Sequence, residues 1–290
     1  MEKKWDGKTK GSLWGYKFFI LCIRIFGIWV SYFFCFFVAT YFVLFAKKQR
    51  NALIKFYQKG FQFSKSKSIW FAARNFNLFG RILIDRLALK TIKRKHYTQS
   101  FDNEKALVEM NEAGKGGFLF SGHVGNWENA GNLIGERITS KINILMLDDE
   151  VEKIKNYIEN SSEEAKFNLI PLKNDMSHLI LIHRALKKNE LIALHADRTL
   201  PNQKTFQFDF LNGKAEFPAG PFIMAHKFKV PITFVFAVKG KGTHYNLCAT
   251  DLMYNSESPE QIAEAYVNKL EQMVVDNPIQ WFNFYDYYVN

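Results

Sequence analysis

The chain has 290 residues, 48% of them hydrophobic and 16% aromatic, with a formal net charge of +11, a length that suits one large α/β domain plus an accessory segment. The charge is lopsided: residues 1–100 carry 20 Lys and Arg against three acids, net +17, which leaves −6 for residues 101–290. Whole-chain basicity therefore does not argue for nucleic acid, and no recognition helix or RNA-binding strand motif is present; three scattered cysteines, Cys22, Cys35 and Cys248, exclude a disulfide framework or a metal spacing and read as buried apolar residues.

The first element is the uncharged run Ile25–Ala46, IFGIWVSYFFCFFVATYFVLFA. As a helix its 22 residues measure about 33 Å at roughly 1.5 Å each, enough to cross the hydrocarbon core. It is too long for a secretory signal, lacks a small-residue cleavage site and ends in Lys47, Lys48 and Arg50. The reading is a membrane-embedded helix, with a buried aromatic-rich helix as the alternative. Lys3, Lys4, Lys8, Lys10 and Lys17 precede it, so basic flanks stand on both sides and cannot orient a single span. An in-plane or re-entrant segment stays open, and Arg24 is placed to snorkel. Either way, this front is expected at an anionic lipid surface.

Lys55–Lys95 follows with apolar residues three and four apart and Arg74, Arg81 and Arg86 between them, the pattern of one or two amphipathic helices. They form an interfacial platform or pack on the core with a solvated basic face. Residues 1–100 are thus expected as a membrane-anchoring helical segment and 101–290 as a separate α/β domain. From about residue 102 helix and strand alternate. NEKALVEMNEAG leads into the strand GGFLFSG, and a helical stretch over Val124–Arg137 follows. Then come the strand INILMLD, a helix near Glu150–Asn160, the strand FNLIPL, a helix at about Met176–Lys188 and the strand LIALHAD. A hairpin region KTFQFDFLNGKAEF, a helix opening at Pro218–Ala219, the strands PITFVFAV and YNLCATDLMY, and a helix over Pro259–Asp276 complete the series. Short apolar strands between helices predict a mostly parallel sheet flanked by helices on both faces.

In such sheets chemistry gathers beyond the carboxyl ends of the strands. His123 stands at one such end, and His195, Asp197 and Arg198 at another. In SGHVGNWENAG (Ser121–Gly131), Gly122 and Gly125 let the backbone turn and leave room for a ligand near the main chain. They also let His123 turn back toward Glu128, five positions on. A carboxylate on one imidazole nitrogen fixes the tautomer and frees the other nitrogen to accept a proton. No nucleophile elbow accompanies the pair, so a substrate must bring the hydroxyl or amine. From spacing alone, a satisfied strand-end histidine and a solvated Glu128 remain the competing reading. Asp197 as a turn cap and Arg198 in a structural ion pair remain open too. His195 is a lining residue at most, and His178, His183 and His226 read as helix-surface residues.

GHVGNWE resembles the H-x4-D/E motif of the lysophospholipid acyltransferase superfamily, and residues 10–290 are similar to its lipid A late-acyltransferase branch, the lauroyl and myristoyl transferases. The aromatic front segment, LIALHADR, FLNGKAEFPAGPFIMAHKFKVPI and NPIQWFNFY resemble further blocks of that branch in the same order. The resemblance implies a glycerolipid-acyltransferase-like α/β fold and transfer of a fatty acyl group from acyl carrier protein or coenzyme A to a lipid hydroxyl. It implies no cofactor and no metal, and a place on the cytoplasmic side of the inner membrane. By motif position His123 is the general base and Glu128 its partner. Gly122, Asn126 and Trp127 line the substrate site, Asp197 and Arg198 shape the acceptor or phosphate site, and Gly220 offers backbone N–H to an anion. The chain departs from the branch pattern at Asp175, Ser177, His178 and Arg198, which leaves the acceptor as a lipid or glycolipid of the lipid A kind. Two alternatives keep the fold: an N-acyltransferase acting on an amine-bearing lipid or amino acid, and a non-catalytic membrane- or carrier-binding protein.

Overall fold

A burial stripe explains the first helix. In the computed structural model, which describes residues 13–91, 97–126, 138–147, 167–173, 175–254 and 256–289, α1 runs over Leu13–Phe45, beginning well before the uncharged run. Cys22, Ile23, Ile28, Ser31, Tyr32, Cys35 and Ala39 are buried, recurring as single residues or adjacent pairs every three to five positions, while Trp14, Phe18, Phe26, Trp29, Phe33, Phe36, Phe37 and Phe45 are exposed. The helix is broken at Gly27, where φ 81° and ψ −178° lie in a region open essentially to glycine alone. Two further helices follow, α2 (Lys47–Gly60) and α3 (Lys65–Thr91), and α1 packs along α3.

The body is a seven-stranded sheet. Its strands are β1 (Thr98–Asp102), β2 (Gly117–Ser121), β3 (Ile142–Leu147), β4 (Phe167–Leu172), β5 (Leu191–His195), β8 (Ile232–Lys239) and β9 (His244–Ala249), in the spatial order β1-β9-β8-β2-β5-β3-β4. All neighbours are parallel except β8 and β9, which run antiparallel. The central strands β2 and β8 are buried on both faces, as their near-continuous apolar sequence requires. Alternation sorts their side chains. Phe118, Phe120, Phe234 and Phe236 join the main core, and Leu119, Val235 and Ala237 join a second cluster with Ala106, Leu107 and Met110 of α4 (Glu104–Glu112).

The main core is closed by α5 (His178–Lys187), α6 (Ala219–Phe228) and α7 (Pro259–Asp276). α7 starts where expected because Ser258 caps the Gln261 N–H at 3.3 Å and Pro259 stands in the first turn. The hairpin is β6 (Thr205–Phe210) with β7 (Gly213–Pro218). Three differences from the sequence reading have physical causes. β1 was not expected, since TQSFD is a half-exposed edge strand without an apolar run. β9 stops at Ala249 rather than continuing to Tyr254, so YNLCATDLMY is only half strand. His178 is buried rather than on the surface, and its Nδ1 accepts the Lys173 N–H at 3.4 Å. Of the helical stretch expected over Val124–Arg137, Val124, Gly125 and Asn126 are not helical, because Val124 pairs with Trp281 and Gly125 with Ala237 as isolated bridges; its remainder and the helix expected near Glu150–Asn160 lie outside the described residues.

One buried carboxylate ties the front helices to the sheet. Asp85 of α3 is fully buried. Its Oδ1 accepts the hydroxyls of Tyr32 from α1 and Tyr97, and its Oδ2 accepts Lys239 Nζ at 2.6 Å and the hydroxyl of Tyr245. Those four donors fill the lone-pair sites of a carboxylate, which is what makes its burial tolerable. At the other end of α3, Asn75 Nδ2 donates to the carbonyls of Ile279 (3.2 Å) and Trp281 (2.9 Å), and Tyr57 of α2 donates to the Pro278 carbonyl at 2.8 Å. Removing one partner of a buried ion pair strands the other charge, so Asp85→Asn should cost about 3–5 kcal/mol of stability. Adding Lys239→Met should restore part of that loss. Denaturant unfolding of the two variants checks both signs.

Candidate active site

Strand register builds the site. β2 and β5 pair in parallel with Ser121 opposite His195, and the Ala196 N–H continues the ladder to the Ser121 carbonyl at 3.2 Å. Two residues further along each chain stand His123 and Asp197, which the same register brings together. His123 Nδ1 lies 2.7 Å from Asp197 Oδ1, and the His123 backbone N–H donates to Oδ2 at 2.7 Å. Trp281 Nε1 donates to the same Oδ2 at 3.1 Å, and Tyr287 donates to the Asp197 carbonyl at 3.2 Å. The Asp197 side chain is 1% exposed and that of His123 16%. The carboxylate is thus enclosed by protein donors while the ring reaches the surface of the site. The His195 ring stands 4.7 Å from that of His123, centroid to centroid.

The segment after His123 is fixed like an extra strand. The Gly125 N–H donates to the Gln280 carbonyl at 2.8 Å, the Asn126 N–H to the Ala237 carbonyl at 2.7 Å, and the Phe282 N–H to the His123 carbonyl at 2.9 Å. Gly125 has φ 65°, and a Cβ there would collide with the Ala237 carbonyl, so the glycine admits a close approach of protein backbone. At Gly122, too, the room expected for a ligand is filled by protein: a Cβ would meet Leu270, Tyr266 and Asp197 within 3.0–3.3 Å. Asn126 is fully buried. Its Nδ2 donates to Tyr245 Oη at 3.1 Å and its Oδ1 accepts from Arg86 Nε at 3.4 Å. Arg198 Nη2 donates to the Phe282 carbonyl at 2.8 Å.

The structure therefore gathers Gly122, His123, Asn126, Asp197 and Arg198 at the carboxyl ends of β2 and β5. Trp127 and Glu128 lie outside the described residues. Gly220 is exposed on the first turn of α6 with open space where a Cβ would stand, and the Ala219 N–H is already taken by the Lys204 carbonyl at 2.9 Å. Sequence reading had Asp197 shaping an acceptor or phosphate site, whereas its carboxylate is spent on His123 and Trp281. Arg86, read there as part of a basic patch, faces the site through Asn126. The sequence places His123 and Asp197 each just past an apolar strand, which is the signal for the first pairing, and nothing local announces that of Arg86 with Asn126.

Electrostatics set the protonation states. Burial and the Arg198 charge lower the His123 pKa against the opposing pull of Asp197, with Arg86 lowering it further. His195 is pushed down to about 3 by burial, with His123 and Arg198 adding to the shift. Burial alone would raise the Asp197 carboxyl, but the His123 ring, Arg198 and His195 outweigh it and hold it below the usual carboxylate range. At neutral pH both rings are neutral and Asp197 is ionised. An ionised carboxylate only accepts, so the proton of His123 sits on Nδ1, the tautomer in which Nε2 carries the lone pair.

The sequence profile of the family described as Bacterial lipid A biosynthesis acyltransferase matches residues 2–288. No curated protein matches the chain. With the match spanning nearly the full length, and the fold a mostly parallel sheet flanked by helices, the chain belongs to the bacterial lipid A biosynthesis acyltransferases.

Proposed function

We propose that this acyltransferase moves a fatty acyl group from the thioester of acyl carrier protein, or of coenzyme A, to a hydroxyl of a lipid A-like acceptor. His123 is the general base. The observation that carries the reading is the buried Asp197 carboxylate on His123 Nδ1 at 2.7 Å, which keeps the proton on Nδ1 and the lone pair on Nε2. As the acceptor oxygen attacks the thioester carbonyl, Nε2 takes its proton and the new C–O bond forms. The tetrahedral intermediate then expels sulfur, and the imidazolium returns the proton to the leaving thiolate. Proton count and bonds balance without an enzyme nucleophile. Arg198 and Arg86 are positive charges that act on the His123 ring, suited to a developing oxyanion or to a phosphate of donor or acceptor.

Asp197 is a positioning residue here, since it acts through His123. Glu128, the acid of the family motif, is the second carboxylate assigned to the same imidazole, and mutation separates the two. Trp127 and Gly220 are proposed as substrate contacts on motif position alone. The uncharged helix and its basic flanks support attachment to the inner membrane, with the α/β body on the cytoplasmic side where acyl carrier protein is made.

Five outcomes test this. His123→Ala should reduce kcat by about 10²–10⁴-fold or more, the usual worth of general-base catalysis, in a protein that remains folded. Asp197→Asn should match or exceed Glu128→Gln in its loss, because an amide there favours the wrong tautomer; turnover per folded molecule decides, with unfolding curves beside it. Since the His123 pKa is lowered, its base form survives to lower pH than a free imidazole, so the acid limb of kcat should fall below about pH 6.5. Arg198→Gln removes a cation that favours the neutral ring and should move that limb upward. Mass spectrometry of the product distinguishes an ester from an amide, and an amide would reassign the acceptor.

A further inference from the structure

Membrane association and membrane crossing make different demands on α1, and its packing discriminates between them. α3 is fastened to the body at two places along its length, by Asn75 to the Ile279–Trp281 backbone and by Asp85 to Lys239 and Tyr245. α1 lies alongside it. Cys35 meets α3 at Gly80, where the absent Cβ admits its sulfur, and Tyr32 meets Asp85. Phe42 and Val43 pack into the main core beyond them, beside residues of α2 and the start of α3. The buried stripe continues from Cys22 to Ala39, so although α1 is long and apolar enough to cross a bilayer, one side of it stays on the protein through that length.

Standing α1 upright in a bilayer would carry α3 and the end of β8 into hydrocarbon with it. The irregular turn Gly240–Thr243, whose Gly242 sits beside Trp29, would then lie at membrane depth, where exposed non-helical backbone is not tolerated. The break at Gly27 argues the same way. The piece before it, about 21 Å, is too short for a hydrocarbon core of about 30 Å, and the piece after it, about 27 Å, is at the lower limit of a span.

What α1 does present is an interfacial face. Phe33, Phe36, Phe37, Tyr41, Leu44 and Phe45 are exposed on one side, with exposed Lys17, Arg24, Lys47 and Lys48 toward the ends. α3 extends the surface with exposed Trp70, over whose ring Arg74 stands at 4.5 Å. Exposed aromatic rings with cations beside them suit the boundary between acyl chains and anionic headgroups. We propose that α1 lies flat in one leaflet, its aromatic face among acyl chains and its basic ends at the headgroups, without crossing the bilayer. Trp29 and Tyr32 stand at the carboxyl end of β8, which is the same end of the sheet as His123. A lipid acceptor therefore reaches the site from the plane in which it already lies.

The proposal rests on the membrane association of α1 and not on acyl transfer, so its test reads topology. The full-length chain is expressed in bacteria with one peptide tag before Met1 and another after Asn290. Protease is added to spheroplasts and, separately, to inverted inner-membrane vesicles. An in-plane α1 leaves both tags on the same side, digested together and protected together. Tags protected on opposite sides overturn the proposal. The triple variant Phe33→Ser, Phe36→Ser, Phe37→Ser alters only exposed positions and should keep the unfolding midpoint. Its binding to phosphatidylethanolamine–phosphatidylglycerol vesicles should weaken by about 10²-fold or more, the loss expected for three phenyl groups. Unchanged vesicle binding would also overturn the proposal.

Discussion

Everything in the site depends on keeping one carboxylate ionised away from water. Asp197 is buried at the end of β5, and three N–H groups converge on it: the ring and backbone of His123 and the indole of Trp281. Without them, burial would protonate the acid and remove the reason for His123 to hold a fixed tautomer. Each donor is itself positioned by something larger. His123 follows from the register of β2 with β5, and Trp281 from the tail segment that pairs with Val124. The acid is therefore also the point where two sheet strands and the C-terminal segment are joined.

Asp85 repeats this logic some way off, and the two arrangements are continuous. Tyr245 donates to Asp85 and accepts from Asn126, three residues beyond His123, while Arg86 reaches the other end of the same Asn126 amide. Consecutive residues of α3 thus close a ring through the loop that carries the base. Lys239 shares the arrangement, since Gln280 brackets its backbone with two hydrogen bonds at 2.8 and 2.9 Å. A satisfied buried network of this kind rigidifies the groups it connects. The front helices therefore serve as part of the frame around His123.

The sequence made the parallel sheet legible because β2, β5 and β8 are short apolar runs buried on both faces, and α7 because Ser258 and Pro259 mark its start. It hid β1, whose five residues alternate between exposed and half-buried with little hydrophobic signal. His123 was readable from its place after GGFLF between glycines. The role of Asp197 was less so, since 74 residues separate it from His123 and only the relative register of two strands shows that they meet. Trp281 and Gln280 were visible as a family signature without a physical reason; their hydrogen bonds to Asp197 and to the end of β8 supply one. The Asp85 cluster draws on α1, α3, β8 and β9, and no local pattern reports such a convergence.

The placement of Gln280–Phe282 has a kinetic consequence. Backbone pairing between this segment and His123–Gly125 joins positions more than 150 residues apart, and loop closure of that order is met late in folding. During synthesis α1 precedes the sheet, and every strand of the sheet precedes Trp281. The three donors around Asp197 are therefore complete only after the whole sheet has been made, so the geometry of the site is set by the last of its parts to be joined.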